Sequence, residues 1–309
     1  MSKKVVVLGS SGMLGSMVVD YLSRDSNLKV AATVRTPVLA AKCRERIPGV
    51  NWLTLNGGAP ESEKELGAIH GYGWVVNAIG ITKPLIHDDN AAEVERALLI
   101  NSLLPHQIAR QAQKGGARVI QIATDCVYSG IKGSYLESDP QDALDAYGKT
   151  KSLGEVTHSQ VHHLRCSIIG PEPKERKFLL EWFRGQPQKA KVSGYVNHRW
   201  NGVTTLHFAK LCQGIITQNI GLAHLQHVVP DGEVTKCELL QCFARSFERE
   251  DISITPSKAN VIVDRTLKTT SETMNQALWA AAGYSHPPSI PAMVAEMAGF
   301  DYKLGGLSG

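Results

Sequence analysis

No run of this sequence approaches the roughly 18 consecutive apolar residues of a membrane-spanning helix. Met1-Ser2-Lys3-Lys4 leads straight into a short β-branched segment, not into the longer apolar region of a signal peptide. These absences predict a soluble, cytoplasmic protein with no membrane partner. The six cysteines, Cys43, Cys126, Cys166, Cys212, Cys237 and Cys242, include no Cys-x-x-Cys pair, so neither a zinc site nor a redox dithiol is expected, and they read as reduced thiols. His158, His162 and His163 include an i,i+4 pair but have no carboxylate or cysteine clustered with them. An exposed helix end explains them, and no metal is expected. Charge of one sign is scarce too: 33 Lys and Arg against 29 Asp and Glu leave +4, with no run long enough to hold nucleic acid. That mild excess suits a small anionic ligand. Repeats and low-complexity segments are missing, and 43% hydrophobic with 20% charged residues excludes disordered or collagen-like chains.

What is present is an alternation. Val5 to Leu8, Lys29 to Val34, Val50 to Leu55, Trp74 to Ala78, Val119 to Ala123 and His163 to Cys166 read as buried strands. Helical patterns fall between them, at Gly15 to Arg24, Ala91 to Lys114 and Ala146 to Ser159. This is the pattern of βαβ units feeding a doubly wound parallel sheet, an α/β fold of the Rossmann type. After Gly170 come Pro171, Pro173, the basic stretch Lys174 to Lys177 and shorter segments, with helices around 206–218, 236–249, 271–282 and 291–297. We therefore divide the chain into a dinucleotide-binding domain, 1–170, and a smaller α/β substrate lobe, 171–309, parts of which return to the first domain. The last residues, Gly305 to Gly309, read as a flexible, silent end.

Directly after the first strand stands Gly9-Ser10-Ser11-Gly12-Met13-Leu14-Gly15, followed by an apolar helix. Glycines permit a tight turn and close approach of backbone to a pyrophosphate, and the helix N-terminus adds a partial positive charge. Between a strand and a helix, the motif indicates dinucleotide binding. The second strand ends in Arg35, where an NAD-preferring fold carries an acidic ribose ligand. A guanidinium there suits the 2′-phosphate of NADPH, with NADH left open; a solvated loop arginine is the plainer alternative.

Tyr147 and Lys151 lie four apart on an expected helix, hence on one face. A phenol titrates near 10, and a neighbouring ammonium lowers that value, making the pair useful for proton transfer at neutral pH. By itself Tyr-x-x-x-Lys is common. Thr124, at the end of the fifth strand, stands on the sheet edge where α/β folds bind ligands, and its hydroxyl suits a substrate carbonyl.

With these features in order, the chain resembles the extended short-chain dehydrogenase/reductase superfamily, and within it the dTDP-4-dehydrorhamnose reductase group. The resemblance rests on Gly9-x-x-Gly12-x-x-Gly15, Val76-Asn77-Ala78, Ile100-Asn101, Thr124 to Gly130, Tyr135-x-Glu137 and Tyr147-Gly148-Lys149-Thr150-Lys151-x-x-Gly154-Glu155, and more thinly on Gly202 to Thr205 and Asp264 to Leu267. It implies reduction of the 4-keto group of a nucleotide-linked deoxysugar. Tyr147 is then the proton donor, Lys151 holds the nicotinamide ribose and acidifies the tyrosine, and Thr124 orients the ketone. Asn101 supports Lys151 from behind through a water or backbone link. Asn77, Ala78 and Ala123 join Gly9 to Leu14 and Arg35 against the cofactor. Lys83, Asp125 and Cys126 fall to the sugar. Arg199 and Arg265, with Lys174 and Lys177, serve its diphosphate, and Trp200 offers a face to its base, although core packing is the commoner fate of a tryptophan.

Two departures matter. The family usually has an aromatic where this chain has Cys126, and often a tryptophan at Ile168, so a remodelled sugar pocket is expected. Dehydratases of the same fold carry Thr-Asp-Glu at the strand end, and Cys126 replaces that glutamate; epimerases usually keep the acidic ribose ligand that Arg35 does not supply. A non-catalytic regulatory subunit, like that of methionine adenosyltransferase, remains the alternative of a different class. A homodimer is left open.

Overall fold

The protein is described here by a computed structural model covering residues 2–57, 65–174 and 177–307. Its centre is a seven-stranded sheet. The strands are β1 (Lys3–Leu8), β2 (Leu28–Val34), β3 (Asn51–Thr54), β4 (Trp74–Asn77), β5 (Arg118–Ala123), β6 (Val161–Arg165) and β11 (Leu225–His227). They stand in the order β11-β6-β5-β4-β1-β2-β3, all parallel. Helices cover both faces, which is why Val5, Val6, Val7 and Leu8 are all fully buried and the strands read as continuous apolar runs. The chain winds outward from β1 through β2 to β3, then restarts at β4 and winds the other way. The crevice at the carboxyl ends of β1 and β4 is therefore the topological switch point where such sheets bind ligands.

The long helical stretch after β4 is three segments in one: an α-helix at Ala91–Ala97, a π-helical insert at Leu98–Leu103 and an α-helix at Leu104–Gly115. The catalytic-pattern helix, expected to reach Ser159, stops at Leu153. Gly154 ends it because a Cβ there would stand 2.0 Å from the Asn101 carbonyl oxygen, so only glycine lets the two helices meet. His162 and His163 are corrected as well. They lie buried inside β6, not on an exposed helix end, and among the described residues no group of three His, Cys, Asp or Glu converges as a metal site would require.

Beyond β6 the chain builds small sheets: β7 (Ile168–Ile169) with β10 (Val203–Thr204), β8 (Lys191–Tyr195) with β13 (Ser253–Ser257), and β9 (His198–Trp200) between β12 (Val234–Thr235) and β14 (Val263–Asp264). Between them, the helix Thr205–Gln218 packs against α1 (Met13–Leu22), and β11 joins the main sheet. The chain end is not silent. Leu304 and Leu307 are buried, Tyr302 donates to Ser16 at 2.7 Å, the Lys303 amide donates to Asp20 at 2.6 Å, and Arg46 reaches the carbonyls of Lys303 and Gly305, so the segment closes over α1.

Candidate active site

The glycine turn leaves β1 at Leu8. Gly9 has φ +81, a conformation side chains oppose, and a Cβ on Gly15 would lie 2.3 Å from the Gly9 carbonyl, so the turn itself demands both glycines. The Gly9 and Ser10 amides are spent on Thr33, at 3.2 and 2.9 Å, and the Gly12 amide on Gly9 at 3.0 Å. Gly12 is different. A Cβ there would meet only the Gly9 oxygen, at 3.4 Å, and it caps α1 without any side chain. The amides of Met13 and Leu14 thus begin a helix with no side-chain cap and no acidic residue in its first turn. That cradle fits a pyrophosphate, which supplies the acceptors the helix end lacks. Arg35 follows β2 directly and is exposed, while Thr36 caps the next helix, Pro37–Arg46, by accepting from Leu39 at 3.2 Å. Arg35 has no hydrogen-bonding or ionic partner among the described residues.

Asn77 and Ala78 hold the end of β4 in place. Asn77 donates to Gln121 at 2.7 Å and accepts from the Ile79 amide at 3.1 Å, and the Ala78 amide donates to Leu8 at 3.0 Å. Asn101 sits in the π-helical insert. It accepts from the Ile81 amide at 2.8 Å and donates to the Ile81 carbonyl at 3.0 Å and to Thr150 at 3.3 Å. Its side chain therefore fastens a loop to the catalytic-pattern helix and does not engage Lys151.

Thr124 follows Ala123 at the end of β5 and caps the turn Asp125–Val127, accepting the Cys126 amide at 3.2 Å. Tyr147 opens the helix Ala146–Leu153, whose N-cap Asp145 accepts the Gly148 amide at 2.7 Å and pairs with Lys83 at 2.6 Å. Gly148 lets this helix press onto the strand-end loop: a Cβ there would be 2.4 Å from the Cys126 carbonyl. Burial pushes the Tyr147 phenol above its ordinary value, with nearby Cys126 adding to the effect and a Thr124 hydrogen bond opposing it. Lys151 turns its ammonium to the Ile122 carbonyl at 3.2 Å, and burial lowers its pKa to about 8. The expected acidification of Tyr147 by Lys151 is thus not the state of this structure. Desolvation dominates, and the phenol is held protonated.

The sugar-side residues divide. Cys126 is pushed up to about 12 by burial and by Asp125, whose own carboxyl is raised by burial against the pull of Arg265. Arg265 donates to the carbonyls of Tyr128 at 2.8 Å and Ser129 at 3.1 Å, clamping the loop that carries Thr124 to Cys126. Arg199 is exposed and paired with Glu233 at 2.8 Å. Trp200 is 5% exposed and belongs to the core, so the expectation of a base-stacking face is corrected. Lys174 lines a cavity of about 640 Å³ together with Glu181, Arg184 and Phe300, remote from Thr124 and Tyr147, and Lys177 donates its amide to Glu172 at 3.2 Å.

Two features escaped the sequence reading. Arg165, fully buried, binds both oxygens of Glu155 at 2.5 Å, the Tyr128 hydroxyl at 2.6 Å and His227 Nε2 at 3.1 Å. An arginine inside a buried strand was the available signal, since such a charge requires partners. The other is Lys236, the first residue of the helix Lys236–Ser246, whose ammonium stands 5.7 Å from the Trp200 ring centroid.

Fold and site together define a Rossmann-type protein with a dinucleotide cradle beside a Thr-Tyr-Lys constellation. The chain belongs to the family described as RmlD substrate binding domain, whose model matches residues 3–299. It is 39% identical over 83 residues to the spore coat polysaccharide biosynthesis protein SpsK of Bacillus subtilis, covering 26% of this chain and 28% of that protein. To the dTDP-4-dehydrorhamnose reductase of Shigella flexneri it is 24% identical over 196 residues, 61% of this chain and 64% of the relative. To the methionine adenosyltransferase 2 subunit beta of Rattus norvegicus it is 27% identical over 156 residues, 50% and 42%. These matches span between 28% and 64% of the relatives' lengths. Among solved structures, the dTDP-4-dehydrorhamnose reductase of Bacillus anthracis in complex with NADP superposes with a TM-score of 0.71 at 16% identity, over 96% of this chain and 99% of that one, which shows a shared fold.

Proposed function

We propose that the protein is an NADPH-dependent oxidoreductase that reduces the 4-keto group of a nucleotide-activated deoxysugar. The observation that carries this reading is the Thr124–Tyr147 hydrogen bond beside buried Lys151, at the carboxyl edge of the sheet and next to the glycine cradle. The amides of Met13 and Leu14 would hold the pyrophosphate and Arg35 a 2′-phosphate; NADH is the lesser candidate. When bound, the nicotinamide supplies the hydride. Thr124 and Tyr147 hydrogen-bond the ketone oxygen, and Tyr147, kept protonated by burial, passes its proton to that oxygen as negative charge develops there. Lys151 then stands as the cation nearest the resulting phenolate and holds the cofactor ribose. The lobe of small sheets, within 171–309, would cover the nucleotide diphosphate, since ligand sites favour such clefts.

The similarity to a methionine adenosyltransferase subunit supports a second reading, a non-catalytic partner. One experiment separates the two: NADPH consumption with nucleoside diphosphate 4-keto-6-deoxyhexoses, by the native chain and Tyr147→Phe. We expect the variant to bind NADPH and lose turnover by roughly 10²–10⁴-fold. Full turnover in the variant removes Tyr147 from the chemistry, and cofactor binding without any turnover by the native chain turns the reading toward the partner.

A further inference from the structure

Lys236 breaks a local rule. It occupies the first turn of the helix Lys236–Ser246, behind a complete capping box of Thr235 and Glu238. A helix N-terminus carries a partial positive charge, so a cation is disfavoured there unless an anion offsets it. No anion of the protein does so at contact range: Lys236 has no hydrogen bond or ion pair among the described residues. Glu238 is occupied in the capping box, and Glu233 pairs with Arg199 at 2.8 Å. The ammonium is instead positioned over the buried Trp200 ring at 5.7 Å, a cation–π placement that fixes the charge without neutralising it.

Its neighbours locate that charge. Lys236 lies within electrostatic reach of Asp125, Cys126 and Arg265, and Asp125 and Cys126 in turn act on the Tyr147 phenol. Asp125 and Cys126 are the residues directly after Thr124. Lys236 and Arg265 thus face a single carboxylate, Asp125, while the next pair outward, Lys83 with Asp145 at 2.6 Å, is already balanced. Burial also raises the pKa of Asp125, which weakens it as a counterion. A desolvated pocket with one surplus positive charge next to the reacting carbon is complementary to an anion on the sugar ring itself.

We infer that Lys236, supported by Arg265, is a specificity-determining residue that binds a carboxylate carried by the sugar, so that the substrate is an acidic nucleotide sugar, not a neutral 6-deoxyhexose. This rests on the reading of the site as a nucleotide-sugar pocket, and it is tested by binding, which does not require turnover. The probes are the hexuronate, the hexose and the bare nucleoside diphosphate of one base, in uracil and thymine series, titrated calorimetrically into the NADP-loaded native chain, Lys236→Gln and Lys236→Arg. We expect the native chain to prefer the hexuronate to the hexose. Lys236→Gln should weaken the hexuronate about tenfold to hundredfold while leaving the hexose and bare diphosphate within about twofold, and Lys236→Arg should restore most of the loss. Equal weakening of all three probes assigns Lys236 to the diphosphate and overturns the inference. Equal native affinity for hexuronate and hexose, or no effect of Lys236→Gln, overturns it too. If no probe binds while NADP does, the nucleotide-sugar reading falls and the inference falls with it; if the hexuronate preference stands without turnover of any ketosugar, only the reductase reading fails. Unchanged thermal unfolding of the variants, expected because removing a cation from a helix N-terminus costs nothing, shows that they are folded.

Discussion

Lys151 is a cation placed where water cannot solvate it, and that carries a measurable stability cost. Burial lowers its pKa from 10.5 to about 8, with Glu155 opposing the shift. At about 1.4 kcal/mol per unit, the ceiling on the cost below pH 8 is roughly 3 kcal/mol. Between pH 8 and 10.5 the unfolded chain keeps a proton here that the folded chain has lost, so stability from this group rises with pH across that window. Lys151→Met should therefore be more stable than the native chain at pH 7, by about 1–3 kcal/mol, with the advantage shrinking toward pH 10 and turnover lost. Thermal unfolding of both proteins at the two pH values checks this; an equal gain at both would show that packing, not charge, is responsible. Glu155 is left with its two bonds to Arg165 in the variant, so no new unpaired charge arises.

Among elements, the catalytic-pattern helix is anchored at both ends by charge. At its start Asp145 caps Gly148 and takes Lys83. Just past its end Glu155 binds Arg165 of β6, and Arg165 reaches Tyr128 of the strand-end loop and His227 of β11. Burial keeps His227 neutral, and with Nδ1 donating to the Lys268 carbonyl at 2.7 Å its Nε2 is free to accept from Arg165. Breaking a buried pair strands a charge, whereas removing both partners does not. Arg165→Met should cost about 3–5 kcal/mol in urea unfolding. Arg165→Met with Glu155→Leu should cost less than the sum of the single changes by at least about 1 kcal/mol. Additive losses would mean that the two residues stabilise the helix end independently.

At the scale of the whole molecule, one face is unfinished. Leu99 and Leu103 of the π-helical insert are 42% and 45% exposed, and Leu153 is 60% exposed. The two segments meet through His106 and the Leu153 carbonyl at 3.0 Å and through Ser102 and the Thr150 carbonyl at 2.8 Å, so the leucines share one side of the molecule. An apolar face of this kind matches a second copy of itself about a two-fold axis. The expected outcome is a dimer in sedimentation that Leu103→Asp with Leu153→Asp converts to monomer. A native chain that sediments as a monomer at micromolar concentration would refute it.

Much of this was legible in the order of residues, because the signals are local. Alternating β-branched and helical patterns dictate βαβ units, and the glycines of the first turn are required by backbone geometry that acts within seven residues, as Gly9 and Gly15 show. Tyr147 and Lys151 share a face by helical spacing alone. Tertiary structure decided what depends on surroundings. Desolvation is not written in a motif, so the direction of the Tyr147 shift could not be read from its spacing to Lys151. Asn101 reaches Ile81 and Thr150 because a π-helical insert rotates it there. The chain end closes over α1 only because Asp20, Arg46 and Ser16 wait on helices that are far away in sequence. Lys236, more than a hundred residues beyond Asp125, joins the pocket solely through folding, and its unbalanced charge exists only once water has been excluded around it.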